Sequence, residues 1–123
     1  MLGGGAFKQA MRFAGENQSP VWHYIVAFDS PYEQDTSRHY AWHTAELPLE
    51  MRIVRYPEES EVLSRKISAV WAAFIRNMDP SLSDQPWPAF DPVARIVMVI
   101  DRAWYLARDP HRKIREAIER ATR

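Results

Sequence analysis

The chain has no cysteine. Disulfides, thiolate nucleophiles and cysteine-ligated zinc are excluded, whatever the fold. Glycine is nearly as scarce, with Gly3, Gly4, Gly5 and Gly15 the only four in 123 residues. A nucleophilic serine on a strand-to-helix elbow needs a glycine on each side, because that turn leaves no room for side chains. No serine of this sequence has them. No run approaches the roughly 18 consecutive apolar residues of a membrane-spanning helix. Neither sign of charge dominates, since 16 basic residues meet 16 acidic ones. Residues 1–60 hold five basic and eight acidic side chains, residues 61–123 eleven and eight, giving −3 and +3. That asymmetry is too mild for a nucleic-acid footprint. Met1-Leu2-Gly3-Gly4-Gly5 lacks the basic and apolar parts of a secretory leader, which favours a cytoplasmic setting.

Aromatic residues are plentiful instead. Five Trp, five Tyr and five Phe make up 12% of the chain, and 46% of it is apolar. A chain of this length forms one domain with a modest core, here taken as residues 1–123. So many large rings need more surface than such a core offers. The shortfall points to a partner, a missing remainder or self-association.

Ala6 to Ala14 reads as a short helix with Ala6, Ala10, Phe13 and Ala14 on one side and Gly15 as its stop, preceded by frayed residues 1–5. After Pro20, Val21-Trp22-His23-Tyr24-Ile25-Val26-Ala27-Phe28 has the composition of a strand buried on both faces. Residues 29–42 are polar and aperiodic, a loop of roughly 14 residues of the kind that covers functional faces. Then comes Ala41-Trp42-His43-Thr44-Ala45-Glu46-Leu47-Pro48, followed by an ambiguous piece in which Met51, Ile53 and Tyr56 pack.

Pro57-Glu58-Glu59-Ser60-Glu61 is a helix entry, with proline early and acids in the first turn. Leu63, Ile67, Val70, Trp71, Phe74 and Ile75 recur at helical spacing and predict a helix over 58–77. Pro80, Pro86, Pro88 and Pro92 break the next stretch. Ile96 to Ile100 reads as a strand. A last helix follows Asp109 as cap and Pro110 at its first position, with Ile114, Ala117, Ile118 and Ala121 on one face. Arg112, Lys113, Arg115, Arg120 and Arg123 form its solvated side.

Four histidines are the candidates for chemistry. His23 lies in the strand and reads as packed, while His39 and His111 read as solvated. No ligand spacing connects them, so neither a metal nor any other cofactor is expected. His43 differs because it follows a strand and a long loop, near the carboxyl edge where sites of open α/β sheets gather. A neutral imidazole there can take a proton from a serine hydroxyl and return it to a leaving group. Glu46, three residues on, is too close in sequence to orient that ring as a triad acid and reads as a loop anchor. Gly3-Gly4-Gly5 has the composition of an oxyanion loop, but no strand precedes it.

From Val21 to Arg115 the chain resembles the C-terminal part of the type-B carboxylesterases, the group of para-nitrobenzyl esterases and cholinesterases. Val21-Trp22-His23-Tyr24 through Phe28-Asp29 is similar to their last central strand. His43-Thr44-Ala45-Glu46-Leu47-Pro48 matches their pattern of histidine, small residue, any residue, glutamate, Leu or Ile, and proline. Leu63-Ser64-Arg65 to Phe74, Asp79-Pro80, Trp87-Pro88-Ala89-Phe90, Ile96 to Val99 and Asp109-Pro110 to Arg115 follow in the family's order. Three positions depart from the pattern. Thr44 stands where a glycine or small residue usually follows the histidine. Leu49, Met51 and Arg52 replace an aromatic pair and a glycine. Asn77-Met78 stands where a glycine commonly precedes Asp-Pro.

The resemblance implies the C-terminal portion of an α/β-hydrolase fold, with few strands and about three helices, in one partial domain. It implies His43 as the catalytic base and Glu46 as its supporting glutamate, acting only with a serine from outside these residues. The expected partner is then the missing N-terminal esterase portion, and the substrate a small ester in the completed enzyme. The alternative is a non-enzymatic, structural or self-associating remnant of that fold. No nucleic acid and no membrane is expected in either case.

Overall fold

The computed structural model describes residues 3–16, 19–28, 44–53 and 57–122. The fold is a small mixed α/β arrangement of three strands and four helices, one of them a single turn. In chain order these are α1 (Gly3–Gly15), β1 (Tyr24–Val26), α2 (Leu47–Glu50), α3 (Pro57–Asn77), β2 (Ile96–Ile100), β3 (Tyr105–Arg108) and α4 (Arg112–Ala121). The chain divides into two compact units. One comprises Met1–Ile25, Pro88–Val99 and Tyr105–Arg123, the other Val26–Trp87 and Ile100–Trp104.

The strands form one sheet in the order β1-β2-β3. The Met98 N–H donates to the His23 carbonyl at 3.1 Å, and the Ala27 N–H to the Ile100 carbonyl at 2.9 Å. Both partners advance in the same direction, so β1 and β2 are parallel and need a crossover between them. β2 and β3 are antiparallel, with Ile96 opposite Arg108, Val97 opposite Ala107, Met98 opposite Leu106 and Val99 opposite Tyr105. β2 is the buried strand, as Ile96-Val97-Met98-Val99-Ile100 predicts. β1 is shorter than the run from Val21 to Phe28 suggests, and its residues are half-buried rather than covered on both faces. β3 is an edge strand with Tyr105, Leu106 and Arg108 exposed, and nothing in its sequence announces it.

In the first unit, α1 begins at Gly3, so residues 3–5 are helical rather than frayed. Its packed stripe is Phe7, Ala10, Met11 and Ala14 (successive steps of three, one and three), and these meet Val21, Ile25, Phe90 and Val97. Phe13, expected in that stripe, is half exposed. His23 is packed as expected, edge-on to Phe7 at 6.2 Å and to Phe90 at 5.8 Å. Burial, and then the charge of His111, pushes its pKa below the ordinary histidine value.

α4 starts at Arg112, with His111 rather than Asp109 at its N-cap. Asp109 is occupied elsewhere. Its buried carboxylate accepts from Arg115 Nη2 at 2.5 Å and Arg95 Nη1 at 3.3 Å. Arg115 is only 12% exposed, so it leaves the solvated face assigned to it from sequence, while Ile114 and Ile118 stay largely open.

In the second unit, α3 lies within one residue of its predicted span. Ile67 and Val70 are fully buried, but Ile75 is 76% exposed. The stripe is completed by Ser60 and Ser64, both buried, rather than by the more apolar end of the helix. Past α3, the Asp79 carboxylate takes the Ser81 N–H at 2.8 Å and closes the Asp-Pro-Ser turn. Ser81 Oγ accepts from the Trp87 N–H at 3.1 Å and donates to the Trp87 carbonyl at 3.2 Å. Trp87 meets Trp104 edge to face at 6.5 Å, and Lys66 Nζ sits 5.0 Å from the Trp104 ring centre.

Candidate functional site: the segment after His43

His43 and the preceding residues 29–42 lie outside the described residues, as does His39; the chain is described again from Thr44. Thr44 has φ 68°, in the left-handed region that favours glycine. Its carbonyl accepts the Leu47 N–H at 3.2 Å, which turns the chain into α2. Ala45, at the position the pattern leaves open, is completely buried, so packing restricts it to a small side chain here. Glu46 is the N-cap of α2. Its carbonyl accepts the Glu50 N–H at 3.0 Å, while its side chain makes no capping bond. Pro48 falls in the first turn, where its missing N–H costs nothing. Glu50 is held above its ordinary carboxyl value, first by burial and then by the charge of Glu46.

α2 ends in a complete Schellman motif. The Ile53 N–H reaches the Pro48 carbonyl at 2.8 Å and the Arg52 N–H the Leu49 carbonyl at 3.2 Å. That motif puts Arg52 at φ 60°, again in glycine's region. Met51 and Ile53 consequently point outward, at 71% and 54% exposure, instead of packing. Tyr56 lies outside the described residues.

α2 packs on α3, through Leu49 above all. Fully burying a leucine contributes about 2 kcal/mol. Ser64 Oγ on α3 donates to the Leu49 carbonyl at 2.7 Å. Arg52 donates from Nη1 to Ser64 Oγ at 3.2 Å and from Nη2 to Glu61 Oε1 at 2.7 Å. Glu61 also takes Arg65 Nε at 2.8 Å. Hydrogen bonds from Arg52 and then Arg65 hold its carboxyl below the ordinary glutamate range. The Arg52 side chain thus fastens the end of α2 to α3.

This arrangement fixes the path of the chain from Thr44 to Ile53. Ser64, the hydroxyl most directly tied to the segment, is buried and committed to a carbonyl. Gly3, Gly4 and Gly5 are the first residues of α1, so their backbone is helical rather than an oxyanion loop. Among the described residues no three His, Asp or Glu side chains converge as metal ligands, and no helix is long and apolar enough to cross a membrane. The serines of the α3 stripe and the role of Arg52 are the features sequence reasoning missed. The available signal was their spacing of four between Ser60 and Ser64, in register with Ile67.

No protein-family model matches the chain. No curated protein matches it by sequence either. Solved structures do. A thermophilic PNB esterase superposes with a TM-score of 0.67 at 26% identity, over 79% of this chain and 21% of that one. A second PNB esterase gives 0.69 at 25%, with 79% and 21% covered. An esterase from anaerobic Clostridium hathewayi, described as hydrolysing aliphatic aromatic polyesters, gives 0.77 at 21%, over 91% of this chain and 23% of that one. The chain therefore shares the fold of part of the PNB-esterase and carboxylesterase structures. It spans about a fifth of their length.

Proposed function

We propose that these residues form the C-terminal, histidine-bearing segment of a serine carboxylesterase, and that His43 is its general base. In the completed enzyme a serine supplied from outside residues 1–123 attacks the ester carbonyl. His43 takes the serine proton, returns it to the leaving alcohol, and repeats the exchange with water to release the acyl group. Glu46 acts as an anchor of the loop, at the head of α2. Without the serine the segment performs no triad chemistry.

The observation that carries this reading is conformational. Thr44, Arg52 and Met78 occupy three places where the esterase pattern has glycine or a small residue. All three have positive φ, at 68°, 60° and 56°. At each of them the backbone takes the conformation that favours glycine. Such agreement is not a consequence of apolar periodicity, which any α/β chain shares.

The test is hydrolysis of a p-nitrophenyl ester by the chain alone and together with the N-terminal four-fifths of a PNB esterase. Serine-dependent turnover on mixing, lost by about 10⁴-fold or more in His43→Ala, is the expected result. A mixture in which the two parts associate but stay inactive counts against it.

A second reading has its own observation. Met51, Ile53 and Val62 are exposed around α2 and α3, and Ile75 and Met78 at the end of α3. A self-associating remnant without chemistry accounts for them equally well. Light scattering separates the two: a concentration-dependent dimer favours the remnant, and a monomer that dimerises with nothing but the esterase portion favours the enzyme segment.

A further inference from the structure

The first unit contains a polar hollow that the esterase reading leaves unused. It lies where β2 begins and β3 ends, and is lined by Pro92, Val93, Arg95, Arg108, Asp109 and Arg112. The Asp109 N–H donates to the Arg95 carbonyl at 2.9 Å, joining the two strand ends. Both residues are left-handed non-glycines, with φ 54° at Arg95 and 44° at Asp109. Strain of this kind persists only where the surroundings over-determine it. Here Arg95 is fixed by Nε to the Pro92 carbonyl at 2.9 Å and by Nη1 to Asp109.

The charges do not balance. Asp109 is already shared between Arg95 and Arg115. Asp91, at the neighbouring turn, spends its Oδ1 on the Val93 and Ala94 N–H groups. Glu116 takes Arg112 Nε at 2.7 Å, and among the described residues no hydrogen bond engages the Arg112 Nη atoms, though Asp109 lies close enough to act on its charge. The Arg108 guanidinium has no side-chain partner among the described residues. The start of the ten-residue α4 adds to the excess. It has no acid in its first turn and no side-chain cap, and its first residues are Arg112 and Lys113. Cations there oppose the helix dipole, whose positive end favours an anion.

We propose that this hollow binds the phosphate group of a small phosphate monoester, with Arg108 and Arg112 donating to its oxygens and the fixed Arg95 as third cation. Guanidinium forks match phosphate geometry better than they match a spherical halide. Val93, 79% exposed beside Pro92, offers an apolar ledge for the organic part of the ligand. The proposal is independent of the esterase reading, since no residue of the segment from Thr44 to Ile53 lines the hollow.

Thermal melting of the chain with inorganic phosphate, phenyl phosphate or sodium chloride at matched ionic strength tests it. The two phosphates are expected to raise Tm by roughly 10 °C at a hundredfold excess over Kd. Arg108→Gln weakens phosphate binding by about tenfold in titration calorimetry, as loss of a charge-assisted bond requires. The double variant Arg108→Gln/Arg112→Gln abolishes the Tm shift. Arg120→Gln, which removes one charge elsewhere on α4 as Arg108→Gln does on β3, leaves the shift intact. An equal shift with chloride, or a shift that survives the double variant, overturns the proposal. So does binding to single-stranded DNA but not to phenyl phosphate.

Discussion

In the unit of residues 26–87 and 100–104, the chain is held mainly by bonds to its own backbone. Ser64 reaches the Leu49 carbonyl, Ser81 brackets Trp87, and the Schellman bonds close α2. In the other unit the corresponding work falls to ions. Asp109, with 7% of its side chain exposed, is gripped by two guanidiniums at the joint of β2, β3 and α4. Neutral bonds to carbonyls depend little on pH or salt, whereas a buried carboxylate and its arginines depend on both. The segment after His43 therefore stands in the unit whose frame is less sensitive to solvent conditions, apart from the exposed Arg52–Glu61 pair.

The sharpest way to break this comparison is to remove one ion from the buried cluster. Asp109→Asn leaves Arg115 buried without its counter-charge and is expected to destabilise by about 3 kcal/mol in urea unfolding. Ser64→Ala in the other unit costs about 1 to 2 kcal/mol, since it strands a carbonyl and one arm of Arg52. Equal costs would erase the distinction.

The pH response sharpens it further. Burial works to raise the Asp109 carboxyl, but Arg115 and then Arg95 together outweigh it and hold the carboxyl below its ordinary value of 3.8. A depressed carboxyl contributes stability above its unfolded pKa and loses it as pH falls through the folded one. The loss from Asp109 is confined to pH below about 4. His23 acts earlier. Its pKa is lowered from 6.5 by burial and by His111, so the unfolded chain binds the proton more readily. Stability is full above pH 6.5 and declines as pH drops below that value, until the folded pKa is reached. Protection of the Met98 N–H against hydrogen exchange, relative to the unfolded amide at the same pH, is expected to fall across that window, and His23→Phe to flatten the response.

The smallest effects come from the left-handed positions. Met78→Gly relieves an exposed non-glycine at φ 56° and is expected to stabilise by about 1 kcal/mol. Val62→Gly, within α3 and equally exposed, is expected to cost about 1 kcal/mol. Arg52→Gly gains the same relief but loses the bonds to Ser64 and Glu61, so its net change in Tm is expected near zero. A cost at Met78 equal to that at Val62 would mean that its positive φ does not reflect glycine geometry.

The elements legible from sequence were those with strong local signals. α3 has a proline entry and long apolar recurrence, and β2 is a short β-branched run between turns. β3 was missed because four mostly exposed residues after Asp101-Arg102-Ala103-Trp104 carry neither alternation nor a glycine turn. Its pairing is dictated by β2, a tertiary cause. Asp109 looked like a helix cap because Asp-Pro is a common entry. Its carboxylate went instead to Arg115, six residues on, and to Arg95, fourteen back. At the candidate site the sequence pattern named Thr44 to Pro48, but the positive φ angles at Thr44 and Arg52 could not be read from the residues there. The serines facing α2 were passed over because apolar periodicity does not count them.

The most direct measurement of the central claim is ester turnover by the chain before and after a serine-bearing esterase portion is added. The account predicts that the chain alone hydrolyses a p-nitrophenyl ester no faster than His43→Ala, and that turnover appearing on addition depends on both His43 and the added serine. Hydrolysis by the chain alone that His43→Ala abolishes would contradict it.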